Sequence, residues 1–207
     1  MSGHPDVAAT VAGAPVSVDE VDAREDRLRR TSVAAALPRP GTSEGRQLRR
    51  WLTQLLVTER VVAAEAAALG LSARGAPAED ELLPDVSARH DIGSVAAAAL
   101  ADPLARALFA RVTAAVDVTA AQVSDYHARN PFRFAAPRAG RDGWRGRAAT
   151  APPLHEVRSA ITEHLRAAAR RRAFRIWLDA RRAALVELAP GYEHPGDPRQ
   201  PDNTHKH

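Results

Sequence analysis

The chain has 207 residues and no cysteine, so disulfide staples, Cys-ligated zinc, iron–sulfur clusters and thiol catalysis are excluded. Its 29 basic residues, of which only Lys206 is a lysine, face 25 acids, leaving a formal net charge of +4. That balance is too even for a dedicated nucleic-acid binder, and the length fits one domain with appendages.

Residues 1–6 have neither a basic nor an apolar character, and no run of ~18 apolar residues follows, so an export signal and a membrane span are not expected. A cytoplasmic location is. Val7–Val11 is rich in β-branched residues and reads as a strand, with Ala12-Gly13-Ala14-Pro15 as a tight turn. Ser17 and Glu20 form a capping box that opens a helix over 18–30, acids early and arginines late. The segment 37–41 (LPRPG) breaks it.

A second helix is predicted over 43–69. Leu48, Leu52, Leu55, Val62, Ala66 and Leu69 share one face, Trp51 lies beside it, and Gly70-Leu71 reads as a left-handed cap. Residues 72–92 read as loop with one or two helical turns, and 94–100 as a short alanine-rich helix. Asp102-Pro103 starts a helix through about 116, with Leu104, Leu108, Val112 and Val116 on its face and Phe109 adjacent. Thr119 and Gln122 open a short helix that Asn130-Pro131 closes. Residues 135–153 lack periodicity and read as a linker. A long helix is predicted over 154–184, its inward stripe Leu154, Val157, Ile161, Leu165, Ala169, Ala173, Ile176 and Ala180, flanked by Phe174, Trp177 and Leu178. Val186–Leu188 reads as a minimal strand, and 189–207 as an extended Pro/His-rich tail.

The fold class expected is therefore mainly α. In order and spacing these pieces resemble the SurA-type and PrsA-type foldases. The resemblance rests on the opening ATVAGAPVSVDEVDARE, on LRRWLTQLLVTERVVAAEAAALGL (48–71), on Tyr126, Asn130 and Phe134 in VTAAQVSDYHARNPFRF, and on the long helix that ends in VEL. It implies a multi-helix chaperone core split between residues 1–134 and 154–188, with short terminal strands placed to pair. In the family a parvulin prolyl-isomerase domain separates the two parts. Here 135–153 fills that gap without the histidines and acid or cysteine of parvulin chemistry, so isomerase activity is not expected.

The resemblance further implies an apolar groove for a polypeptide, lined from Trp51, Leu55, Phe109, Tyr126, Phe134 and Trp177. The tail, which carries Tyr192, is a candidate to occupy such a groove in its own or a neighbouring molecule, the latter giving a homo-oligomer. The alternative function is an accessory protein or small enzyme of bacterial secondary, polyketide-type metabolism, acting on an acyl substrate or an acyl carrier protein, with His127 or the tail supplying acid–base groups.

Three further features carry chemistry. Gly41-Thr42-Ser43-Glu44-Gly45 matches a nucleophile-elbow pattern, but Leu37-Pro38-Arg39-Pro40 before it makes no core strand, so Ser43 reads as a helix N-cap. Arg166, Arg170 and Arg181 share one side of the long helix. They form either a solvated face paired with Glu59, Glu65 or the acids of the first helix, or a dock for an acidic partner. His155 and His164, nine apart, fall on opposite helix faces. In the tail, His194, His205 and His207 with Asp197 or Asp202 are either a polar coil or a metal site. No catalytic residue and no cofactor are assigned.

Overall fold

The computed structural model describes residues 7–135 and 151–194. It opens with a hairpin of β1 (Val7–Val11) and β2 (Ala14–Ser17). Ala12 and Gly13 connect them with φ of 49° and 79°, the positive-φ pair that a two-residue turn needs to match strand twist. The sequence presented only a turn at Ala14-Pro15. The structure adds a strand there because Pro15 sits on the edge of the sheet, where its missing N–H costs no ladder bond. The third strand, β3 (Val186–Leu188), pairs antiparallel to β1 as expected, with Val11 opposite Val186 and Ala9 opposite Leu188. Backbone bonds from Ala12 N–H to Leu185 C=O (2.7 Å) and Ala189 N–H to Ala8 C=O (3.0 Å) extend that ladder.

Helix α1 (Val18–Arg29) begins at the predicted capping box: Glu20 N–H donates to Ser17 Oγ at 3.2 Å, and Ser17 N–H to Glu20 at 2.8 Å. Glu20 is held below the ordinary carboxylate range by that backbone bond, against the raising effect of burial, and further by the Arg60 guanidinium. Helix α2 (Ser43–Ala68) runs through the centre. Its N-cap is Thr42, whose hydroxyl accepts from Gly45 N–H at 3.0 Å, and not Ser43, which already lies in the first turn. The helix ends in a Schellman motif, with Gly70 at φ 62° and Leu71 N–H bonded to Ala66 C=O at 2.9 Å. Of the predicted α2 face, Leu52, Leu55, Val62 and Ala66 are buried. Leu69 is exposed at the cap, while Val57 and Val61 are buried too, because α2 is packed on more than one side.

The polar stretch after α2 holds two short helices, α3 (Glu79–Leu82) and α4 (Val86–Ile92), followed by α5 (Ser94–Ala99). Helix α6 (Pro103–Val112) starts at the Asp102 cap but stops short of the expected end, at Thr113, whose hydroxyl donates to Phe109 C=O at 2.7 Å. Its buried face is Ala105, Leu108 and Phe109. Helix α7 (Ala120–Arg129) has the predicted Thr119–Gln122 box.

Helix α8 (Leu154–Leu185) departs most from expectation. Its buried residues are Val157, Ile161, Arg171, Phe174 and Leu178, whereas Ile176 is 56% exposed and Ala180 faces solvent. Between Ile161 and Arg171 the buried face moves about 80° around the helix axis, at about 100° per residue. The cause is a change of neighbour. The first half of α8 packs on α7 with Val123; the second half packs on α4, α6 and α2.

The apolar interior is correspondingly divided. The main core gathers Val57, Val61, Ile92, Leu100, Leu108, Phe109, Phe174 and Leu178 under one face of the sheet, from which Ala9 and Val11 point. Ala8, on the other face, joins Val21 and Leu52 in a smaller cluster with Trp51 and Tyr192 against it. Val123, Val157 and Ile161 form a third between α7 and α8.

Candidate functional site

The six predicted groove residues are not brought to one place. Phe109 is core: it is 2% exposed and its ring lies 5.0 Å from that of Phe174, which stacks in turn on Trp177 at 5.6 Å. Tyr126 and Phe134 belong to the α7–α8 cluster, 6.3 Å apart, and each also meets the His164 ring, at 5.5 and 5.8 Å. Trp51 and Leu55 face α1 instead. Positions on one helix face are legible from spacing, but which helix covers that face is not, and here three different neighbours do so.

Two open clefts result. The first, about 380 Å³, lies between α1 and α2. Helical spacing of three, four and seven brings Arg24, Arg27, Leu28 and Thr31 to one wall, and Trp51, Leu52 and Leu55 form the other. Leu52 and Leu55 are buried floor residues. The Trp51 indole N–H donates to Ser94 Oγ at 3.2 Å, which fixes the ring at the cleft edge. Arg24 reaches across to Glu59 at 2.6 Å and ties the two helices together. The wall from α1 escaped the sequence reading, although the same periodicity in Arg24, Leu28 and Thr31 carried it.

The second cleft, about 370 Å³, lies between α7 and α8. Val118, Tyr126, Leu165, Ala168 and Ala169 are its apolar lining, and Gln122, Asp125, Arg129 and Arg172 its polar rim. Beside it the Tyr126 hydroxyl and His164 Nε2 are 3.2 Å apart. His127 Nε2 lies 2.9 Å from Pro152 C=O, so this ring secures the entry to α8.

The arginine face resolves into pairs within the chain. Arg166 donates to Asp117 at 2.8 and 3.0 Å and to Glu163 at 2.5 Å. The bond to Asp117 holds its guanidinium pKa above the ordinary value, and Asp117 is held below its own by the Val118 N–H and by Arg166. Arg170 donates to Thr113 Oγ1 at 2.8 Å and lies 5.4 Å over the Phe109 ring. Arg181 donates twice to Glu65, at 2.7 and 2.5 Å. The expected pairing with Glu65 is therefore present, whereas Glu59 serves α1. As a ready dock for an acidic partner this face is already engaged, because α8 packs beside the carboxylates of α2 and of the α6–α7 connection.

The nucleophile-elbow match is a turn leading into α2. Gly41 has φ 79°, and a Cβ on Gly45 would lie 2.3 Å from Arg39 C=O, so both glycines have backbone reasons to be there. The described part of the tail lies on the body: Arg50 Nε donates to Gly191 C=O at 3.2 Å, Gln54 Nε2 to Tyr192 C=O at 3.0 Å, and Tyr192 packs against the cluster of Ala8, Val21 and Leu52. His194 lines a further cleft, about 350 Å³, with Asp179 and Arg182, where burial lowers the Arg182 pKa. His205 and His207 lie outside the described residues. Among the described residues no three His, Asp or Glu side chains are grouped to hold a metal ion, and no helix is long and apolar enough to cross a membrane.

A family model whose description is "Family of unknown function (DUF7158)" matches residues 7–44. That stretch spans the hairpin, α1 and the first residues of α2, so it includes the arginine wall of the first cleft and not its tryptophan wall. No curated protein matches the chain, and no solved structure does.

Proposed function

We propose that this protein binds a polypeptide or a protein partner without catalysing a reaction on it, as a SurA/PrsA-like chaperone core lacking an isomerase domain. The observation that carries this reading is the α1–α2 cleft, an open trough with a leucine floor and a half-exposed tryptophan at its edge. Such a surface suits side chains presented by an extended chain, whereas a small substrate is usually held in an enclosed pocket with converging polar groups. The reading is further supported by the antiparallel pairing of β1 with β3, since such a core is expected to bring its terminal strands together.

The test is suppression of the thermal aggregation of citrate synthase by the purified full chain, with Trp51→Ala alongside. Suppression at near-equimolar protein, weakened by Trp51→Ala, is the expected result. No suppression, together with a small acyl molecule retained by the protein in native mass spectrometry, would overturn the reading in favour of a role in acyl metabolism.

A further inference from the structure

The α1–α2 cleft combines an apolar floor with a one-signed rim. Among its lining residues are two arginines and no carboxylate. Arg24 is engaged by Glu59, but Arg27 is exposed and has no ion-pair partner among the described residues. Its helical neighbours at three and four positions are Ala23, Arg24, Arg30 and Thr31, none of them acidic. A cation so placed, at the lip of a trough floored by Leu52 and Leu55 and walled by Leu28, is available to a carboxylate on a ligand whose apolar side chain fills the trough. The volume, about 380 Å³, falls at the small end of ligand clefts (~300–1,000 Å³).

The two longest segments outside the described residues are poor occupants by composition. Residues 136–150 carry one large apolar side chain, Trp144, among Arg138, Arg141, Arg145 and Arg147 with only Asp142 in opposition, so they repeat the sign of the cleft. Residues 195–207 contain no large apolar side chain at all. By sign and by composition, neither segment complements this surface.

Resting on the polypeptide-binding reading, we infer that the α1–α2 cleft selects peptide segments in which a bulky apolar residue is flanked by Asp or Glu, with Arg27 as the residue that sets the charge preference. The exposed pair lies in high dielectric, so the preference is modest and falls with salt.

The experiment uses the full chain and two fluorescein-labelled peptides with identical Leu and Phe positions, one flanked by Glu and one by Lys, read by fluorescence anisotropy at low ionic strength. The acidic peptide is expected to bind about five- to tenfold more tightly, and Arg27→Glu to reverse the order. Because Arg27 is exposed, the variant's helical circular dichroism should match the parent. Equal binding of the two peptides, or a preference that Arg27→Glu leaves unchanged, overturns the inference, and continued suppression of citrate synthase aggregation would leave the general reading standing. Loss of both peptide binding and suppression by the parent protein would sink the two together. Concentration-dependent self-association that Arg27→Glu abolishes would make a second copy the occupant and overturn the external-peptide assignment.

Discussion

Phe174→Ala and Ile176→Ala, two residues apart on α8, separate the observed packing from a helix with one continuous apolar stripe. Phe174 is 1% exposed, wedged between Phe109 at 5.0 Å and Trp177 at 5.6 Å. A buried phenylalanine removes ~150–250 Å² from water, which at ~25 cal/mol/Å² is about 4–6 kcal/mol as an upper bound. Measured truncations of this kind cost ~3–5 kcal/mol, part of it from the cavity left behind. At ~2–4 °C per kcal/mol for a chain of this size, the midpoint of thermal unfolding should drop by about 6–20 °C. Ile176 is 56% exposed, so its truncation should change stability by less than ~0.5 kcal/mol, with alanine's better helix propensity partly offsetting lost contact. Thermal and urea unfolding, each followed by the helical circular dichroism signal, measure the midpoint and the free-energy change of both variants. A larger loss from Ile176→Ala than from Phe174→Ala would refute the displaced face of α8.

Ala12 holds φ at 49° in the hairpin turn, a left-handed conformation that costs a residue with a Cβ about 1 kcal/mol and that Asn tolerates better. Ala12→Asn should therefore raise the urea midpoint at unchanged slope, and a fall in the midpoint would contradict the turn assignment. At the start of α2, Thr42→Ala should cost ~1 kcal/mol through the lost cap. Ser43→Ala should stay within ~0.5 kcal/mol, and Gly45→Ala should cost about 1–3 kcal/mol as its Cβ meets Arg39 C=O. A larger loss at Ser43 than at Thr42 would move the cap back to Ser43.

Local chemistry was legible in the sequence wherever the partners lie within one turn of each other. The Ser17–Glu20 and Thr119–Gln122 boxes, the Asp102-Pro103 start and the Gly70 cap all stand where short-range rules put them. The mainly α class followed from those pieces in order, and the pairing of the outer strands from what the family resemblance implied. What stayed hidden depends on which element lies beside which. Trp51, Phe109 and Tyr126 carry the same apolar signal, yet one borders an open cleft, one is core and one belongs to the α7–α8 cluster. The arginines of α8 looked alike as well: the pairing of Arg181 with Glu65 was among those expected, but Asp117 and Thr113 across from Arg166 and Arg170 were not. Strand β2 was missed because its four residues include Pro15, which a sequence reader takes as a stop and an edge strand accommodates.

The sheet has a consequence for how the chain is made. Its middle strand, β1, finds one neighbour a two-residue turn away and the other only in β3. During synthesis the hairpin and α2 can assemble early, while the open side of β1 waits until all of α8 and then β3 have left the ribosome. Throughout that interval a row of unpaired backbone groups on β1 is available to another nascent chain. Closing the long loop to β3 is a late, entropically costly event that completes the ladder in one step. A stop codon just after Leu185 would remove β3 and leave every copy of the protein with the interval made permanent.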